Sequence, residues 1–163
     1  MNKYRKYMLL AYEEMLKSNN YHNSDKYQAP LVGCLLLFSN GNYITAHRDE
    51  SAEYKHAENI VFNKIDKNKI DDDAILFVTL EPCVPFIGRN HLLSCCELIV
   101  KNKIKNVCIG MIDPNPNIKE KGIKFLKDNN VNISFFDDDI TEMIYKANKN
   151  FIKFIKEEEE RKN

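Results

Sequence analysis

At 163 residues and 44% hydrophobic content the chain suits a single domain that buries roughly two thirds of the surface its unfolded form exposes, without disulfide staples. Its 24 basic and 24 acidic residues cancel, which removes the general electrostatic case for a nucleic-acid binder and favours a small ligand. The amino terminus lacks a signal peptide's apolar run, no stretch reaches membrane-spanning length, and the five cysteines read as thiols and metal ligands, so a cytoplasmic protein is expected.

Tyr4, Tyr7, Met8, Ala11, Met15 and Leu16 recur at helical spacing and predict a first helix ending near Ser18. A polar loop over 21–29 leads to Pro30 and a nearly continuous apolar run, 31–38, of strand length. Ser39-Asn40-Gly41-Asn42 is a hairpin signal into a second, antiparallel strand at 43–46. After a polar linker, Ala57, Ile60, Val61 and Ile65 fall on one face of a helix whose first turn holds His56 and Glu58. Asp71-Asp72-Asp73 precedes a third strand, 74–80, which delivers Glu81-Pro82-Cys83 into a long loop. Ser94 with Glu97 three residues later is a capping box, so Cys95 and Cys96 open the next helix.

A fourth strand at 106–111, the turn Asp113-Pro114-Asn115-Pro116, a short helix at 120–127 and a fifth strand at 131–136 follow. The helix between strands four and five makes those two strands parallel. Asp137, Asp138 and Asp139 offer caps and dipole-complementing acids to one long last helix from about 138, with Ile140, Met143, Ile144, Ala147, Phe151 and Ile155 on its apolar face. The order predicts an α/β fold, a three-layer α/β/α sandwich around one mixed five-stranded sheet, in a single domain over 1–163. Ligands in such sheets bind beyond strand ends and beside helix starts.

Cys83 at a strand end, Cys95 at a capped helix start and His56 upstream supply two thiolates and an imidazole, a ligand set that leaves a fourth zinc position for water. Thiolates near helix N-termini are stabilised by unpaired backbone N–H groups, which poises Cys95 to ligate, with Cys96 as its nearest rival. Glu58 is placed to move the water's protons. A lone His-Ala-Glu is weak, but His-x-Glu followed in order by Pro-Cys and a further Cys is the pattern of zinc-dependent deaminases. Cys34 and Cys108 fall inside strands and read as small buried apolar residues. His47 and His91 flank the expected cleft. Within the insert 84–94, Arg89 suits a phosphate, and Asn90 or His91 a ring edge, which makes His47, Arg89, Asn90 and His91 the candidate substrate contacts.

At His56-Ala57-Glu58, Thr79-Leu80-Glu81-Pro82-Cys83 and Cys95 the sequence resembles the cytidine deaminase superfamily. It most resembles the stand-alone form of the riboflavin-biosynthesis deaminase domain that acts on a diaminohydroxyphosphoribosylaminopyrimidine. The likeness extends through Pro30, Val32-Gly33-Cys34 and Asp113-Pro114-Asn115-Pro116. It implies the cytidine deaminase-like fold, zinc on the positions of His56, Cys83 and Cys95, a proton shuttle at Glu58, and a homodimer paired through residues 107–110 and the helices around the metal. Ala29 stands where that family has a substrate-contacting asparagine, and the loop between the two zinc cysteines is longer here.

The leading expectation is a zinc-dependent hydrolytic deaminase that replaces an exocyclic amine of an aminopyrimidine base, nucleoside or nucleotide by oxygen and releases ammonia. The alternative is deamination of cytosine or adenine in RNA or single-stranded DNA, for which Tyr43, Tyr54, Phe86 and Arg89 would line the approach. A binding module that keeps the metal for stability alone would have no use for Glu58.

Overall fold

The computed structural model describes residues 2–85 and 92–163. Five strands, β1 (Gly33–Leu37), β2 (Tyr43–His47), β3 (Ile75–Leu80), β4 (Asn106–Met111) and β5 (Asn132–Phe135), form one sheet in the order β2-β1-β3-β4-β5. β1 runs antiparallel to β2 and to β3, whereas β4 runs parallel to both β3 and β5. Helices α1 (Arg5–Met15) and α5 (Asp138–Ala147) pack together on one face, and α2 (Ala57–Asn63), α3 (Cys95–Lys101) and α4 (Lys121–Asp128) line up on the other. This is the three-layer arrangement that the element order predicts. A final helix, α6 (Lys149–Lys162), packs against α5.

The sheet's central strands are apolar because both of their faces are covered. Every residue of β1 is buried, as are five of the six in β3 and in β4. On α1, Met8, Ala11 and Met15 recur on one face and are buried against the sheet, while the rings of Tyr4 and Tyr7 each lie 5.9 Å from that of Phe77. Gly33 makes the close approach of α1 to β1 possible, since a Cβ there would sit 2.2 Å from the Ala11 carbonyl oxygen. The register pairs Cys34 with Val78 across β1 and β3, and Val78 with Ile109 across β3 and β4.

The last helix of the sequence reading is two helices. Asn148 separates α5 from α6 with φ −97° and ψ 16°. Its buried side chain accepts the Leu31 N–H at 2.7 Å through Oδ1 and donates to the Leu31 carbonyl at 3.3 Å through Nδ2. The apolar period runs straight across this joint because Ala147 and Phe151 still face inward, so the pattern alone carries no sign of the break. The same two bonds hold Leu31 outside the ladder, and β1 starts at Gly33 rather than residue 31. Asp137 is the N-cap residue of α5 but makes no side-chain cap bond; it and Asp139 instead receive the Arg5 guanidinium, each at 2.9 Å from Nη1. Residues 107–110 lie in β4 between two hydrogen-bonded neighbours and are buried. That strand therefore offers no surface for subunit pairing.

Candidate metal centre and active-site cavity

Three elements that end near the boundary between β1 and β3 supply the site. β3 ends at Leu80 and the chain continues through Glu81 and Pro82 to Cys83. Ser94 caps α3, its Oγ accepting the Glu97 N–H at 3.1 Å, so Cys95 is the helix's first residue. His56 is the N-cap residue of α2 with an extended backbone and no side-chain cap bond, which leaves the ring to face the cysteines. Its Nδ1 lies 3.3 Å from Cys95 Sγ and 3.7 Å from Cys83 Sγ, and the three donor atoms all lie within 4.8 Å of one another. Tetrahedral zinc, with bonds of about 2.3 Å to sulfur and about 2.0 Å to nitrogen, holds such ligands roughly 3.5–3.8 Å apart, so the trio fits that ion. Cys96 points away from the trio, its S–H directed at the Pro82 carbonyl at 3.4 Å.

The electrostatics favour a cation. The Cys83 thiol is drawn down to about 3, by a hydrogen bond from the Cys95 side chain first and then by the His56 ring, against its own burial. The backbone N–H of Cys95, opening α3, also points at Cys83 Sγ at 3.2 Å. The thiolate stabilised by the helix start is thus Cys83 and not Cys95, because the first N–H groups of a helix point backwards out of its end. Cys95 is pushed well above the usual thiol range by its bond to Cys83 and by burial. The pair shares one proton, which a metal would displace. Glu58 is buried one residue into α2, with Oε2 3.4 Å from Cys95 Sγ, and burial raises its carboxyl above the ordinary value.

The description "cytidine and deoxycytidylate deaminase zinc-binding region" matches residues 1–111, which include His56, Glu58, Cys83 and Cys95. The chain belongs to this family. It is 34% identical over 123 residues to the chloroplastic riboflavin biosynthesis protein PYRD of Arabidopsis thaliana, an alignment covering 76% of this chain and 27% of that protein. It is 31% identical over 104 residues to the diaminohydroxyphosphoribosylamino-pyrimidine deaminase of Buchnera aphidicola subsp. Schizaphis graminum, covering 64% of this chain and 67% of the relative. Among solved structures, Acinetobacter baumannii RibD superposes with a TM-score of 0.73 at 25% identity, covering 93% of this chain and 39% of that one. The chain therefore spans well under half the length of the plant and Acinetobacter proteins. Zinc is the metal of this family's domain, and the donor trio fits it.

A cavity of about 380 Å³ adjoins the trio, and its lining includes His56, Glu58 and Cys83 together with Tyr27, Phe151 and Phe154. The α6 residues in that wall were not legible as site residues, since their spacing reads only as a core face. In the sequence Glu81 stands out only as part of the motif. It is buried, and its Oε1 accepts the N–H groups of Asp113 and Glu120 while Oε2 accepts that of Ile123. Gly122 lies so close to this strand end that a Cβ would meet the Pro82 carbonyl oxygen at 2.2 Å. Asp113 accepts the Asn115 N–H at 2.9 Å, so the Asp113-Pro114-Asn115-Pro116 segment is the turn that the sequence implied.

His47 does not line this cavity. Its Nδ1 pairs with Glu14 Oε1 of α1 at 2.8 Å, on the opposite side of the sheet from α2. Strand alternation sends consecutive side chains to opposite faces, and the next residue, Arg48, faces the cavity instead. Arg89, Asn90 and His91 lie outside the described residues.

Proposed function

We propose that the chain is a zinc-dependent hydrolytic deaminase of a small aminopyrimidine base, nucleoside or nucleotide, with His56, Cys83 and Cys95 as zinc ligands and Glu58 as the proton carrier. The observation that carries this reading is Glu58 itself, a buried carboxylate beside the donor trio and on the cavity wall. A structural zinc site has no use for such a group. Bound there, zinc supplies Lewis acidity that brings water's deprotonation close to neutral pH. Glu58 would accept that proton on its carboxylate and pass it to the substrate's ring nitrogen as the water's oxygen bonds to the amine-bearing carbon, then carry the adduct's hydroxyl proton to the amine as the C–N bond breaks and ammonia leaves. Burial supports this role because a carboxyl raised above its ordinary value holds a proton more readily between transfers.

The cavity volume is that of a small-ligand site, and the zero net charge gives no phosphate-tracking surface for a polymer. The names of the relatives support a diaminopyrimidine of riboflavin biosynthesis within this class. A cytoplasmic location and a homodimer belong to the same proposal. With β4 internal, the helices around the metal are left to supply the pairing face, and Leu92 and Leu93 ahead of α3 are among the exposed apolar side chains there. No helix of the described residues is long and apolar enough to cross a membrane. Zinc-loaded protein should release ammonia from free pyrimidines or their nucleotides. Release from oligonucleotides alone, with steep salt dependence, would overturn the small-substrate reading, and a monomeric mass by light scattering would overturn the dimer.

A further inference from the structure

Arg48 is 8% exposed, immediately follows β2, and lines the same cavity as Glu58 and Cys83. Its backbone is fixed on both sides, the N–H donating to the Val32 carbonyl and the carbonyl accepting the Asn19 N–H, each at 2.9 Å. The side chain is not fixed in that way. Nε is buried with no hydrogen-bond partner among the described residues, and the nearest carboxylate oxygen, Glu50 Oε1, stands 3.9 Å from Nη2, beyond hydrogen-bond reach. Glu50 Oε1 is itself without a partner, while Oε2 accepts the His22 N–H at 3.0 Å. Glu50 thus offsets part of the guanidinium's charge without taking its donors. A guanidinium stays charged at every physiological pH, and burying it with donors unmade costs free energy that a stability role would not explain.

We propose that Arg48 is a substrate-binding residue that seats a two-oxygen anion, a phosphate ester or a carboxylate, in the cavity beside the metal centre. The inference rests on the deaminase reading of that centre. Two adjacent unmet N–H directions form a fork that matches two oxygens of one anion, whereas a lone ring carbonyl would meet only one of them. The aromatic wall of Tyr27, Phe151 and Phe154 lowers the local dielectric and strengthens the pairing. The backbone is fixed on either side, so only the side chain has to turn to bring the enclosed Nε onto an anion.

The test uses zinc-loaded, nitrogen-15-labelled protein, in which the Arg48 Nε–H resonance is identified by its loss in Arg48→Lys. Ribose 5-phosphate, uracil-6-carboxylate and neutral uracil are titrated in turn, and dissociation constants are measured by calorimetry for the wild type, Arg48→Lys and Arg48→Gln. At least one anion should displace the resonance and bind about tenfold or more weakly to Arg48→Gln, while uracil affinity stays unchanged. Whichever anion does so identifies the source of the oxygens. An unmoved resonance with both anions, or equal anion affinity in a variant that melts like the wild type, overturns the proposal. Neither readout depends on ammonia release. Absent turnover with anion binding intact would therefore sink the deaminase reading alone, and turnover without anion binding would sink this one alone.

Discussion

Replacing Glu81 by glutamine tests whether the buried carboxylate after β3 organises the loop that follows β4. The carboxylate accepts three backbone N–H groups, those of Asp113 at 3.1 Å, Glu120 at 3.0 Å and Ile123 at 3.1 Å. Glutamine keeps the shape but turns one oxygen into an amide donor. If the amide faces Ile123, that N–H loses its acceptor, and the two remaining bonds become neutral ones. A buried donor left unpaired costs about 1–3 kcal/mol, and each of the two charge-assisted bonds exceeds a neutral one by about 1 kcal/mol, so at least about 3 kcal/mol is at stake. Glu120 adds to the demand, because it sits in the left-handed region at φ 64° and is held there by its bond to Glu81. For a chain of this size about 3 kcal/mol lowers the melting midpoint by about 6–12 °C. Calorimetry of Glu81→Gln, zinc-loaded and metal-free, should show this fall in both forms. A shift below about 2 °C in each would refute the assignment, since it corresponds to less than one unpaired donor.

Zinc analysis should find the metal lost in Cys95→Ser and retained in Cys96→Ser, whose thiol points at the Pro82 carbonyl instead; the reverse pattern would overturn the ligand set. Glu58→Gln should retain zinc and fold while turnover falls by about 10²–10⁴-fold, and undiminished ammonia release would remove Glu58 from the mechanism. The Glu14 carboxyl, though pushed up by burial, is brought below its ordinary 4.5 on balance by hydrogen bonds from His47 and Lys17. A depressed carboxyl stabilises the fold above its unfolded value, and that contribution drains away as pH falls through the folded one. Glu14→Gln should therefore flatten the acid-side fall of the melting midpoint below pH 4.5, and superimposable profiles for the two proteins would contradict the reading.

The five strands and the succession of elements along the chain were legible because local signals agree at each step: the Asn40-Gly41 turn, the capped start at Ser94 and the switch in apolar period at Ala57 each select one element type. The donor trio was legible for a different reason. Ligands must be particular residue types, and His56, Cys83 and Cys95 each fall where a strand or helix ends. What the sequence conceals is the direction of side chains just outside regular elements. His47 and Arg48 differ by a single residue, and the parity of β2 sends the histidine to α1 and the arginine to the cavity. Asn148 is concealed for a related reason, since its partner Leu31 lies 117 positions away and no local pattern marks the pairing.

Three consecutive residues after β3 divide the work of holding the site. Glu81 reaches back to the turn after β4 and the start of α4, the Pro82 carbonyl meets Cys96 of α3 and lies against Gly122 of α4, and Cys83 receives the first N–H of α3. These contacts all fall within the parallel half of the sheet, β3 through β5. His56 and Glu58 arrive from the other half, on the helix that follows the antiparallel hairpin of β1 and β2. The donor trio thus joins two units that otherwise meet along the β1–β3 ladder and through the packing of α1 and α2. A metal held by all three donors ties those units together at the point where the ladder ends. Its binding free energy is then also free energy of folding, and it arises only when both halves are already in register.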